Sequence, residues 1–232
     1  MAWTREDAIA SDLTGVTSAT ATLALAVNAG DLLIGVAHSS FADPPTQPFS
    51  DNVNGTWPVC DGVWDSLPGG SSGRTYTAHI TTQAAGAGAL TTTVLGNASA
   101  TRTRLIVTRW SCTAGQLYSL AAVVEGTGSA SPFTSGLTGT PAGAGDLVIG
   151  IAQGANGPGT TFTAGTDDGA SHAYTAGLTV DRLFEEYILN ASASTKKATG
   201  TESDVEWLAA VLIFNASQSG GGTGGGLFWD SH

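Results

Sequence analysis

Nine residues from the first part of the chain return almost unchanged in the second. Ala29-Gly30-Asp31-Leu32-Leu33-Ile34-Gly35-Val36-Ala37 recurs as Ala144-Gly145-Asp146-Leu147-Val148-Ile149-Gly150-Ile151-Ala152, with only two positions differing, both conservatively. Each copy reads as a Gly-Asp turn that feeds a short β-branched strand, with an inner glycine that permits a bulge or a close backbone approach. Each is followed by a polar Gly/Pro-rich region and closes on a strongly apolar strand: Leu105-Ile106-Val107-Thr108-Arg109-Trp110 in one case, Leu208 to Phe214 in the other. A repeat this long is not a solenoid period. It predicts two pseudo-equivalent halves, about residues 16–115 and 130–217, built into one domain spanning 16–217. Residues 1–15 are then an N-terminal arm, in which Thr4 could cap a short helical turn, and 218–232 a Gly-rich tail.

Composition narrows the class. About half of the 232 residues are Ala, Gly, Ser or Thr, and charged residues are only 12%. The 32 glycines and the scarcity of lysine speak against a helical bundle. A hydrophobic share of 41% and a mean hydropathy of +0.11 speak against disorder. A net charge of −11 excludes the basic footprint of a nucleic-acid binder. No apolar run approaches membrane-spanning length, and the acidic start, Glu6-Asp7, is not a secretory signal. Short strands separated by turn signals predict an all-β protein, an antiparallel β-sandwich or jelly roll.

Two features do not suit a free-standing sandwich. In Trp207 to Phe214 both alternating faces are apolar, and Leu32–Ala37 and Leu147–Ala152 behave alike. An outer face should be polar, so a further layer must cover these strands: either a long loop of the same chain or a neighbouring subunit. The tail ends in Leu227-Phe228-Trp229-Asp230 after a Gly/Ser tether. It reads as a docking peptide, as a segment folding back on its own domain, or as an expression scar.

Reactive side chains form no catalytic signature. Nucleophile-elbow, Walker-type and zincin motifs are lacking, and the four histidines, His38, His79, His172 and His232, have no metal-ligand spacing. Glu185 and Glu186, adjacent in a strand, point to opposite faces and cannot act as a carboxylate pair; Asp204 and Glu206 read as a solvated strand entrance. Acidic loops at Asp51–Gly55, Asp61–Asp65 and Thr166–Gly169 fit turn chemistry and none has the full EF-hand register. No metal, cofactor or catalytic residue is expected. Cys60 and Cys112 read as reduced thiols, with a disulfide open if the protein lives outside a cell. The Asp51, Trp57, Asp61, Trp64 region has the composition of a ligand or contact loop, in which tryptophans could stack on a sugar.

The order of motifs carries a resemblance. Gly30-Asp31-Leu32-Leu33-Ile34-Gly35-Val36 is followed by Ser50-Asp51-Asn52-Val53-Asn54-Gly55-Thr56-Trp57 and Leu105-Ile106-Val107-Thr108-Arg109-Trp110-Ser111. Gly145-Asp146-Leu147-Val148-Ile149-Gly150 and Trp207-Leu208-Ala209-Ala210-Val211-Leu212-Ile213-Phe214 complete it. Over about residues 16–216 this layout resembles the β-sandwich structural proteins of tailed-bacteriophage virions. The resemblance implies a non-enzymatic role in the virion, as a capsid decoration (cement) protein or another head- or tail-attached component. Its partners would be other virion proteins and further copies of itself, with neither nucleic acid nor membrane. The alternative is a carbohydrate-binding or adhesin-like module that takes a glycan.

Overall fold

The computed structural model describes residues 2–24, 26–40, 44–65, 73–86, 89–96, 102–113, 116–139, 142–154, 160–166, 173–203 and 206–218. All regular structure among them is β. The first half contains β1 (Trp3–Thr14), β2 (Ser18–Thr22), β3 (Leu32–Ser40), β4 (Phe49–Asp51), β5 (Gly55–Thr56), β6 (Gly62–Asp65), β7 (Gly73–Thr81), β8 (Thr91–Leu95) and β9 (Arg102–Cys112). The second contains β10 (Gln116–Gly128), β11 (Phe133–Thr134), β12 (Leu147–Gly154), β13 (Phe162–Ala164), β14 (Thr175–Val180), β15 (Leu183–Ile188), β16 (Thr199–Glu202) and β17 (Trp207–Gln218). All pairings between these strands are antiparallel.

Each half forms one five-stranded sheet and one smaller sheet. The large sheets run β1-β9-β3-β7-β6 and β10-β17-β12-β15-β14; the small ones run β2-β8-β4-β5 and β11-β16-β13. Three interfaces join them. Leu33, Ala37, Phe49, Trp57, Tyr76, Val94 and Val107 pack the first large sheet on its small one. Val148, Ile188, Val211 and Ile213, together with Phe133, Phe184 and Trp207, do the same in the second half. The third interface is formed by the remaining faces of the two large sheets, where Leu32, Ile34, Val36 and Trp110 meet Ile149, Ile151, Leu212 and Phe214. The molecule is therefore a stack of four β-layers. The doubly apolar strands are the inner layers, and the cover they need comes from the other half of the same chain.

Local geometry explains why the repeated segment is conserved between the halves. Gly30 and Gly145 adopt φ of 87° and 91°, a conformation that side chains resist. The next residue closes the turn with its carboxylate: Asp31 Oδ2 accepts from Asn28 N at 2.7 Å, and Asp146 Oδ2 from Gly143 N at 2.6 Å. The inner glycines serve packing. A Cβ on Gly35 would lie 2.5 Å from the Phe49 ring, and one on Gly150 would lie 2.6 Å from Glu186 Cγ.

The strand registers correspond beyond the repeated segment. Leu32 pairs with Trp110 as Leu147 pairs with Phe214, and Ile34 with His79 as Ile149 with Tyr187. Both β1 and β10 carry a bulge at the same place, opposite the strand that follows these pairs: between Arg5 and Asp7, and between Leu120 and Ala122. Across the central interface the contacts are reciprocal. His79 meets Phe214 edge-on at 5.1 Å, and Trp110 meets Tyr187 edge-on at 5.1 Å. This is the contact pattern of an isologous dimer, formed inside one chain.

Two boundaries differ from the sequence reading. Residues 1–15 are not an arm with a helical turn: β1 is an edge strand paired along β9, with Arg5 to Asp7 in its bulge. Its Trp3 also reaches the second half, donating from Nε1 to the Gly145 carbonyl at 2.9 Å and from its backbone N to Asn190 Oδ1 at 3.2 Å. β10, which precedes the expected second half of about 130–217, pairs along β17 within it. β10 shares no sequence echo with β1, so only its pairing reveals the equivalence.

Gly35→Ala should lower stability by about 1–3 kcal/mol, because the Phe49 ring cannot withdraw from a filled core. A urea midpoint within error of the parent protein would contradict this packing.

Candidate functional site

The expected contact loop is folded inward. Asp51 ends β4 and organises the turn into β5: Oδ1 accepts from Val53 N at 2.7 Å and Asn54 N at 2.6 Å, while Oδ2 accepts from Asn54 Nδ2 at 2.9 Å and Trp57 Nε1 at 2.6 Å. This is an Asx-type turn with its acceptors engaged. Trp57 is fully buried and stacks on Phe49 at 5.5 Å. Trp64 is buried in the central interface. Asp61 Oδ1 lies 2.8 Å from His79 Nδ1. The loop's four residues thus go to different layers, and neither indole offers a face to a sugar. Trp57→Ala should cost about 3–5 kcal/mol of stability, as for a large core side chain; an unchanged thermal midpoint would place the ring at the surface instead.

The ionisable side chains concentrate in the seam between the two large sheets. Where β3 and β12 end, His38 Nδ1 sits 3.4 Å from Thr75 Oγ1, which donates to Gln153 Oε1 at 3.1 Å. His38 and Gln153 hold the position immediately after the repeated segment in each half. Beside them Arg104 grips Asp181 from the other sheet, through Nε at 2.8 Å and Nη2 at 2.5 Å. Asp181 occupies a two-residue turn between β14 and β15 at φ 50°, and it also faces Arg102 at 3.3 Å. Arg102 in turn pairs with Asp12 of β1. Burial and the surrounding arginines push the His38 pKa down to about 3, so the ring is neutral.

Glu185 and Glu186 do lie on opposite faces of β15. Glu185 is fully buried in the seam, with Arg5 Nη2 of β1 at 4.0 Å; that guanidinium also lies over the Trp110 and Tyr187 rings. Desolvation lifts the Glu185 pKa to about 7 against the attraction of Arg5. Glu186 faces the small sheet, accepts from Thr199 N at 3.1 Å and Gly165 N at 3.3 Å, and is lifted by burial to about 8.

Among the described residues no group of three or more His, Cys, Asp or Glu side chains converges as a metal site. Cys60 and Cys112 are both free thiols, one against the first sandwich's core and one in the central seam. Leu227, Phe228, Trp229 and Asp230, with His172, Asp204 and the acidic pair at 167–168, lie outside the described residues. Sequence reading missed Arg104 and Asp181, whose only signal was Asp181-Arg182 interrupting two strand runs.

The titrations have opposite signs. A carboxyl with a raised folded pKa stabilises fully below its ordinary value of 4.5, and the benefit is lost as pH rises through 7 to 8. His38, depressed from 6.5, contributes above that value and loses it as pH falls toward 3. Where the windows overlap, two glutamates outweigh one histidine, so stability should decline from about pH 5 to about pH 8. Glu185→Gln should remove on the order of 3 kcal/mol of that decline. Thermal melts across this range check it, and a parallel profile for the variant would refute the assignment.

No protein-family model matches the chain, and no curated protein sequence matches it.

Proposed function

We propose that this chain is a non-enzymatic structural protein of a tailed-phage particle, a capsid decoration protein or another head- or tail-attached component. The observation that carries the reading is where the chemically capable side chains go. Arg104, Asp181, Glu185 and Arg5 tie one large sheet to the other, Asp51 closes a turn, and Trp57 and Trp64 fill cores. Among the described residues these side chains hold a rigid block together rather than lining a solvent-facing cleft. The motif order described above supplies the virion context. The doubly apolar strands lend no support, because the chain covers them itself.

In this reading the tail is the attachment element. β17 pairs Gln218 with Gln116 at the junction of the two halves, and residues 219–232 continue from that point with the Gly-rich tether and Leu227-Phe228-Trp229-Asp230. A Gly tether gives such a peptide reach at little enthalpic cost. Ending the chain at Gln218 should leave the melting temperature unchanged and abolish incorporation into particles, measured by co-sedimentation with virions. Normal incorporation of the folded, shortened protein would overturn the tail's role.

A further inference from the structure

We propose that the outer edge of β10 is the docking surface for a second copy of this chain, the two β10 strands pairing antiparallel to join their large sheets. The inference goes beyond the assembly reading and does not depend on it.

It rests on comparing two equivalent edges. β1 and β10 occupy the same place in their sheets, each paired among the described residues with a single strand, and each carries the same bulge. β1 is guarded along its length by Arg5, Glu6, Asp7 and Asp12, whose side chains bind neighbouring elements: Asp7 Oδ2 accepts from Ala24 N at 2.9 Å, and Asp12 pairs with Arg102. Charges of this kind are how proteins blunt an exposed strand edge. β10 has thirteen residues and one charged side chain, Glu125. Its central run, Leu120-Ala121-Ala122-Val123-Val124, is apolar on both faces, and every residue in it is half-buried. Alternate members lean on the cores to either side, Leu120 and Val123 on the seam and Ala122 and Val124 on the small-sheet side. A strand laid alongside would complete the burial on both faces at once.

Self-pairing suits this edge better than pairing with a charged partner. A register centred on Val123, with the bulged Ala121 left unpaired, places Ser119 of one copy opposite Gly126 of the other and Tyr118 opposite Thr127; Ser119 and Thr127 are both exposed. The same register sets Glu125 against Leu120, which keeps the two carboxylates about four paired positions, roughly 13 Å, apart. The only net-charge cost is the general repulsion of two acidic proteins, which salt screens.

Ser119→Glu with Thr127→Glu gives β10 the charge that β1 already has, at positions whose side chains reach solvent. By native mass spectrometry or sedimentation at about 100 µM, the full-length protein should be a dimer and the double variant a monomer with the same melting temperature. In the unaltered protein, amide exchange at 118–128 should slow as concentration rises, while that of β1 stays constant. Ending the chain at Gln218 should leave the dimer intact, so loss of particle incorporation and loss of dimer are separate outcomes. A monomeric full-length protein, a dimer that survives both glutamates, or a dimer lost with the tail would each overturn the proposal.

Discussion

The inner strands of the two large sheets, β3, β9, β12 and β17, are covered on both faces, and the rest of the molecule follows from that. Each sheet presents one apolar face to its own small sheet and the other to its counterpart. In the seam, Leu32, Ile34, Val36, Ile149, Ile151, Leu212 and Phe214 are all fully buried. At about 1.5–3 kcal/mol for each large side chain, this contact binds the two halves into one body. The two halves accordingly share one largely apolar core, without the polar interface expected between independently moving domains.

Burial of this extent makes the few polar groups in the seam consequential. At its end, the Arg104–Asp181 pair and the His38–Thr75–Gln153 chain satisfy one another across the sheets. Further in, the partner of Glu185 among the described residues is the distant Arg5 guanidinium, and desolvation wins over that attraction. The cost of a charge there is what makes stability depend on pH, and the reciprocal ring pairs, His79–Phe214 and Trp110–Tyr187, add the directional contacts that set how one sheet seats on the other.

Much of the architecture was legible because its causes are local. The Gly-Asp turn needs a positive φ at Gly30 and Gly145 and a carboxylate immediately after, so both copies had to retain those residues. Strands apolar on both faces announced a missing layer. The contact loop was misread for the opposite reason: a tryptophan beside acids and glycines looks the same in sequence whether its ring faces solvent or, as at Trp57, is held inward by Asp51 Oδ2. β1 was misread because a run of charges reads as a solvated arm, whereas Arg5, Asp7 and Asp12 bind neighbouring elements from a strand paired with β9.

Sequence by itself determined the β class, the repeated turn-and-strand unit, the absence of strict alternation in the inner strands and the opposed faces of Glu185 and Glu186, since all of these follow from backbone periodicity and turn chemistry. Tertiary structure alone decided what covers the inner strands, that Arg104 meets Asp181 and Arg5 meets Glu185, and that β10 is an edge. Those facts depend on which strands become neighbours across long stretches of chain. A pairing of that kind leaves no local trace, because a buried β-strand reads the same whichever sheet lies against it.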